Sequence, residues 1–480
     1  MLNLKKLTFK LVLLLFALSS GCKDKIQSLD KNKNSAKTDS QATKNKLKTD
    51  NQIAKTKKPK ISKNKPNSNL IGISKNQSDK YKNLDKKLLN KAKKTATRIN
   101  NFSFKLYHEL TKIKPQFNSG LQVFKETINL VFSPWSLHMS LSMLAAGAQG
   151  ETFREIVKVL GIPAKSTSYH EDYKQFNLNL ILNSASEKFL LKQSNSIWVE
   201  KSCQLKSTFA RTLNKNYQSS VSPLDFKTKL EKSRRTINQI VKKQTNGKIA
   251  EILAPDSLKQ FTKSVLTNAI YLKARWSQKI EKHRSRKRPF YLLNGKKIQV
   301  TSMNKEVLVK TYRNKEITAI DLPYENKRFS LLVMMPSLSE FSKVEKKLST
   351  EYLNNIIGSL QKKSFNLYLP KFKIDLKINP RNMLKKMGIT SAFGMKADFG
   401  KMFSRDNVLV NSIVHKAFIE IDETGTEAAA ATVVAISTKG IPMPNTKIVK
   451  INRPFFFFLR DRKSGVILFA GRQLNPNNSN

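Results

Sequence analysis

Few side chains of this chain are spaced for conventional catalysis. Five histidines are spread over 480 residues, and no H-E-x-x-H, G-x-S-x-G or P-loop spacing occurs, so an enzyme is not expected. Cys22 and Cys203 give neither a disulfide framework nor a Cys-x-x-Cys pair. With no histidine near it in sequence, Cys203 reads as a small apolar residue rather than a reactive thiol. The segment with most chemical interest is one able to change partners. Gly425 is followed by Thr426, Glu427, Ala428, Ala429, Ala430, Ala431 and then Thr432-Val433-Val434-Ala435-Ile436. The alanines alone favour helix, whereas the residues from Thr432 on favour strand. As a strand, Thr426, Ala428, Ala430, Thr432, Val434 and Ile436 share one face. That face is uncharged and its first four residues are small, while Glu427 falls opposite. A segment sliding between two packed strands needs such a face. An ordinary buried strand is the other reading.

A second chemical feature is the basic run between Lys279 and Arg288 (KIEKHRSRKR). It reads either as a polyanion-binding cofactor site or as a solvated charged face. The whole chain is basic, with 89 Lys+Arg against 34 Asp+Glu and a net charge of +55. Lysine and asparagine are abundant throughout, and the cations are mostly not interleaved with aromatics, so nucleic acid is not the expected partner.

The elements that must position these residues form an α+β pattern. Residues 136–145 (SLHMSLSMLA) are small or apolar nearly throughout, as in a buried helix. Residues 147–150 end it, and Thr152 is expected to cap an amphipathic helix running to Leu160. Residues 265–276, 329–335 and 365–369 read as strands. Residues 449–459 and 466–469 are β-prone on either side of a turn at 462–465. Helices come early and strands late. Upstream, Lys5, Lys6 and Lys10 precede an apolar run at 11–18 that is too short to span a bilayer, which indicates a processed export signal over 1–21. Residues 23–95 hold 22 lysines and 6 aspartates, the composition of an extended tether. With Cys22 this tether makes up 22–97, and a folded domain is expected over 98–480.

Several blocks in this region resemble the signatures of the serpin family, and the resemblance covers nearly everything from Arg98 onward. They are NLVFSPWS at 129–136 with GAQGET at 147–152, NAIYLKARW at 268–276, LKKMGITSAF at 384–393, VHKAFIEIDETGTEAAAAT at 414–432, and PFFFFLRDRKSGVILFAGRQLNP at 454–476. Ala274 stands where the family usually has Gly. The resemblance implies helices around a central, mainly antiparallel sheet, smaller sheets and an exposed reactive loop. It implies a suicide-substrate inhibitor: a serine protease cleaves the loop, forms an acyl-enzyme, and is trapped as the loop inserts into the sheet. Glu423, Gly425, Thr426, Glu427, Ala428 to Ala431 and Thr432 then form the hinge. Ser133, Ser136, Asn268 and His415 match the polar cluster beneath the opening strands, and Trp276 lies where the loop first enters. For His415 and Trp276, ordinary core roles are the alternatives. Counting from the hinge puts the scissile bond at Lys439-Gly440, which suits trypsin-like targets; counting back from Pro454 gives Met443 instead. A non-inhibitory binding member of the fold, polyanion-binding or otherwise, is the competing expectation. Residues 18–22 (LSSGC) are similar to the lipobox of bacterial lipoproteins, with Ser19 in place of the usual aliphatic residue. This implies lipidation of Cys22 and a membrane- or surface-anchored monomer; a plain secretory signal is the alternative.

Overall fold

The paired phenylalanine-rich segments near the C-terminus show how this chain builds its interior. In a computed structural model, Phe455–Asp461 and Ile467–Gln473 are buried along their whole length, because both faces of each strand are covered. The structure describes residues 86–112, 128–166, 168–184, 189–404, 408–426 and 447–478, all within one compact unit, 64–480.

Two sheets run through the described residues. One has nine strands: β1 (Leu130–Phe132), β5 (Arg286–Tyr291), β6 (Lys297–Arg313), β7 (Ile317–Pro323), β8 (Phe329–Pro336), β9 (Gln361–Pro370), β13 (Ile448–Lys450), β14 (Phe455–Asp461) and β15 (Ile467–Gln473). Its order is β1-β15-β14-β8-β7-β6-β9-β13, with β5 paired to β6. The other has six: β2 (Phe189–Glu200), β3 (Ser220–Leu224), β4 (Ser264–Arg275), β10 (Phe372–Ile378), β11 (Ser412–Ile421) and β12 (Gly425–Thr426). Its order is β10-β11-β12-β4-β2-β3, with a further direct pairing of β11 to β4. The α+β class is as expected from the sequence.

The expected strands are present with shifted ends. The β-prone stretch 449–459 divides into β13 and β14 around residues 451–454, where Pro454 has no N–H for a ladder. The helix Pro134–Gly147 begins at Ser133, whose hydroxyl oxygen accepts the Ser136 N–H, with Pro134 in the first turn. Nearly every residue of this helix is buried. The next helix, Gly150–Leu160, ends at Gly161 with a left-handed φ of 67°. Thr152 does not cap it. Gln149 occupies the cap, and the Thr152 hydroxyl instead accepts the Asp398 N–H at 3.0 Å, tying the helix to a distant loop.

The expected domain boundary at 98 falls inside the helix Lys86–Thr111. Ala92, Thr95 and Ala96 are already buried there. Those small residues continue the apolar stripe of Ile99 and Phe102 along the same helix.

Candidate functional site

The site is a discontinuity in the six-stranded sheet. β4 and β11 run parallel and pair from Val265 with Ser412 to Tyr271 with Phe418. Beyond that point they separate. β12 sits between their ends, antiparallel to both: Thr426 faces Ile421 on one side and Ala274 on the other, and Gly425 faces Arg275. The parallel seam is thus capped at one end by the start of an antiparallel strand.

A buried polar cluster lies at the middle of the seam. Asn195, Asn268 and His415 are directly opposite one another on β2, β4 and β11. The Asn268 amide NH2 has the Ser136 carbonyl at 2.9 Å, the Ser136 hydroxyl at 2.6 Å and the Ser140 hydroxyl at 2.8 Å as acceptors, with Asn195 Oδ1 also in reach. His415 Nε2 accepts the Ser133 N–H at 3.0 Å. Its proton must then sit on Nδ1, which donates to Asn268 Oδ1. Burial pushes the His415 pKa down to about 3, so the ring is neutral near pH 7. The Ser133 hydroxyl donates to the Leu468 carbonyl at 2.6 Å. One helix start therefore ties β4 and β11 of one sheet to β15 of the other.

At the open end of the seam the chain reverses between β11 and β12. Asp422 Oδ1 accepts the N–H groups of Thr424 (2.9 Å) and Gly425 (3.2 Å), a local turn that the short side chain makes possible. Gly425 has φ of 147°, and a Cβ there would lie 1.9 Å from the Ala274 carbonyl oxygen. Only glycine fits. The Trp276 indole N–H donates to the Asp422 carbonyl at 2.8 Å, and its ring stacks on Tyr324 at 4.9 Å and 5°. The Tyr324 hydroxyl meets the Thr426 hydroxyl at 2.6 Å in the interior. Glu423 accepts from the Ser285 hydroxyl at 2.7 Å and pairs with Lys371 at 3.0 Å. Burial pushes its pKa up, but the bonds from Ser285, its own backbone N–H and Lys371 together hold it below the ordinary value.

The structure thus brings Ser133, Ser136, Asn268 and His415 together, and places Trp276, Glu423, Gly425 and Thr426 at one end of the same seam. Glu427, Ala428 to Ala431, Thr432, Lys439, Gly440, Met443 and Cys22 lie outside the described residues, as do the expected export signal and most of the expected tether. The basic run divides. Ser285 supports Glu423, Ile280 is buried, Arg284 donates to Asn304 at 3.2 Å, and Arg288 lies 4.1 Å over the Tyr368 ring. Lys279, Lys282, His283, Arg286 and Lys287 remain exposed. Asn195, Ser140, Tyr324, Ser285 and Lys371 were not among the residues singled out from sequence. Only Asn195 carried a local signal, as part of an uncharged Ser-Asn-Ser triplet inside an otherwise strand-like run.

The fold agrees with comparison to known proteins. A family model described as serpin (serine protease inhibitor) matches residues 97–476, and the chain belongs to that family. An uncharacterised serpin-like protein of Thermococcus kodakarensis is 34% identical over 380 residues, 79% of this chain and 85% of its own length. The structure is similar to human thyroxine-binding globulin complexed with thyroxine, with a TM-score of 0.71 and 28% identity, covering 80% of this chain and 99% of that one. It is also similar to tengpin, a thermophilic serpin, in its native state, with a TM-score of 0.68 and 27% identity over 82% and 95% of the two chains.

Proposed function

We propose that this protein is a suicide-substrate inhibitor of serine proteases, acting by insertion of its cleaved loop between β4 and β11. The observation that carries the reading is β12, already antiparallel to both neighbours at the end of a parallel seam. Continued in the same register, the strand brings Ala428 between Leu272 and Ile419, Ala430 between Ile270 and Ala417, and Thr432 between Asn268 and His415. Those β4 and β11 residues are all fully buried, so the incoming face must be small and uncharged. The sequence supplies that. Insertion exchanges one parallel pairing for two antiparallel ones and buries more apolar surface, both favourable.

The Asn268–His415 bond closes the path at mid-sheet. It must break as Thr432 arrives, and the Thr432 hydroxyl can replace the lost partner. Before cleavage the loop is tethered at both ends, so the intact protein is kinetically held in the less stable form. Trp276, stacked on Tyr324, fixes the start of the strand, and Gly425 gives the chain its pivot.

In the reaction proposed, the protease serine attacks the carbonyl of Lys439. The peptide bond to Gly440 breaks, the new amine leaves with the proton, and an acyl-enzyme forms. Insertion then carries the tethered protease along the sheet and pulls its oxyanion hole out of register, which stalls hydrolysis. Lysine before the bond fits a specificity pocket with a buried aspartate, as in trypsin-like enzymes. The lipobox-like 18–22 segment and the lysine-rich stretch after it support an exported domain held off a membrane by Cys22.

Incubation with trypsin tests this. The expected result is a denaturation-resistant covalent complex, cut after Lys439 by mass spectrometry, and a melting temperature several degrees higher once the loop is cleaved. Rapid turnover with no complex would refute inhibition. A cut after Met443 would refute the bond assignment alone.

A further inference from the structure

Away from the seam, the beginning of β8 and the turn after β14 form the walls of a cleft of about 620 Å³. Six cationic side chains line it: Lys310 on β6, Lys327 and Arg328 in the loop before β8, and Arg460, Arg462 and Lys463 at the end of β14 and its turn. Three segments distant in sequence supply them, so no single run of charge announces the site. Ile357 and Leu360, at the end of the helix Thr350–Gly358, give it an apolar side.

Two carboxylates lie against these cations. Asp461 takes Arg328 through two bonds, Nε at 2.8 Å and Nη2 at 3.0 Å. Asp321 takes Arg460 at 3.2 Å and Arg462 at 3.5 Å, and also accepts from the Ser330 hydroxyl. Four positive charges remain unbalanced among these residues. More telling are the donors. Arg328 and Arg460 each have side chains only 8% exposed. Arg328 Nη1, Arg460 Nε and Asn326 Nδ2 are nevertheless without a hydrogen-bond partner among the described residues. A buried donor without an acceptor is costly, and all three belong to residues that line this one cleft. The carboxylates fix the two guanidinium planes and leave one nitrogen of each without a partner among the described residues.

We infer that this cleft is a binding site for a phosphate-type oxyanion carrying at least two negative charges. Four net positive charges with guanidinium groups among them suit the doubly charged, several-oxygen face of a phosphate group, whereas a single carboxylate or halide brings only one charge. The volume exceeds that of one phosphate group, so the anion is a short phosphoanion or one stretch of a phosphate polymer. The site is separate from the seam and stands whether or not the protein inhibits a protease.

Isothermal titration of the full chain with inorganic pyrophosphate and with long-chain polyphosphate, at about 150 mM salt to screen diffuse attraction, tests the assignment. Saturable binding is expected. In Asn326→Asp the Oδ1 that caps the Arg328 and Phe329 N–H groups at 3.2 Å is kept, while the Nδ2 donor is replaced by an acceptor. Binding should weaken about tenfold or more, with melting unchanged. The combined variant Lys327→Gln/Lys463→Gln should weaken it comparably. Lys282→Gln/Lys287→Gln removes the same charge from the other basic run and should leave binding within about twofold of the parent. Pyrophosphate bound as tightly as the polymer identifies a small anion. Tighter polymer binding that still depends on Asn326 identifies a phosphate chain. No saturable binding of either, or equal weakening in the Lys282/Lys287 control, overturns the site.

Discussion

Replacing Gly425 by alanine isolates the step at which the hinge enters the sheet. The new Cβ would stand 1.9 Å from the Ala274 carbonyl oxygen and 2.8 Å from Arg275 Cα, both main-chain atoms that no rotamer change can move. The φ of 147° adds a cost of about 1–3 kcal/mol for a residue with a side chain. Against this, the bonds holding Thr426 in place, to Tyr324 and to its strand neighbours, are each worth about 1 kcal/mol net. The strain therefore matches or exceeds the hold. β12 should leave the sheet in a substantial fraction of molecules while the rest of the fold persists. Hydrogen exchange reads this directly, because the N–H groups of Trp276 and Ile280 donate to the carbonyls of Thr424 and Glu423. A 2 kcal/mol loss corresponds to exchange roughly 30-fold faster in a peptide spanning 275–281, with peptides around Asn268 unchanged. A folded Gly425→Ala protein with normal protection at Trp276 and Ile280 would show that the glycine is not what admits the strand.

Three further outcomes are expected. Ala430→Arg would bury an unpaired charge between Ile270 and Ala417 on insertion, which costs several kcal/mol. The variant should be cleaved as a substrate without forming a covalent complex on a denaturing gel, and persistence of the complex would count against the register. Asn268→Ala leaves the His415 N–H and three buried acceptors short of a partner and should lose about 3 kcal/mol in urea unfolding; a loss under about 1 kcal/mol would mean the cluster holds little. His415 is pushed from an ordinary 6.5 down to about 3, and His138 to about 4, both by burial. The folded protein then binds fewer protons than the unfolded chain below pH 6.5. Stability is full above that pH and falls on acidification by about 1.4 kcal/mol per unit for each such histidine. His415→Gln should remove one histidine's share of the slope between pH 4 and 6, and an unchanged slope would contradict the assignment.

Much of the frame was legible in the sequence because it depends on local pattern. Apolar, β-prone runs mark the strands, and small residues throughout 136–145 mark a helix with no exposed face. The hinge at Gly425 and the grouping of Ser133, Ser136, Asn268 and His415 came through family resemblance. The partners that make the cluster work did not. Asn195 is 73 positions from Asn268, and their meeting depends on the register of β2 against β4, which no local pattern fixes. Tyr324 and Lys371 are likewise brought to the hinge by strand ends alone. Lysines dominate residues 86–94 and conceal the small buried face of Ala92, Thr95 and Ala96 upstream of the expected boundary. The same masking applies to the cationic cleft: in a chain this basic, a few more lysines and arginines attract no notice until their side chains converge.

The amide of Asn268 holds the first turn of a core helix and, in the proposed mechanism, also latches two strands that must later part. Robustness and readiness are thus set by the same few atoms. Substitutions that tighten the latch should give a hardier but slower trap, and those that loosen it a quicker trap that spends itself unprompted. Engineering for heat tolerance should therefore leave this asparagine alone and work at distant sites such as the helix ends.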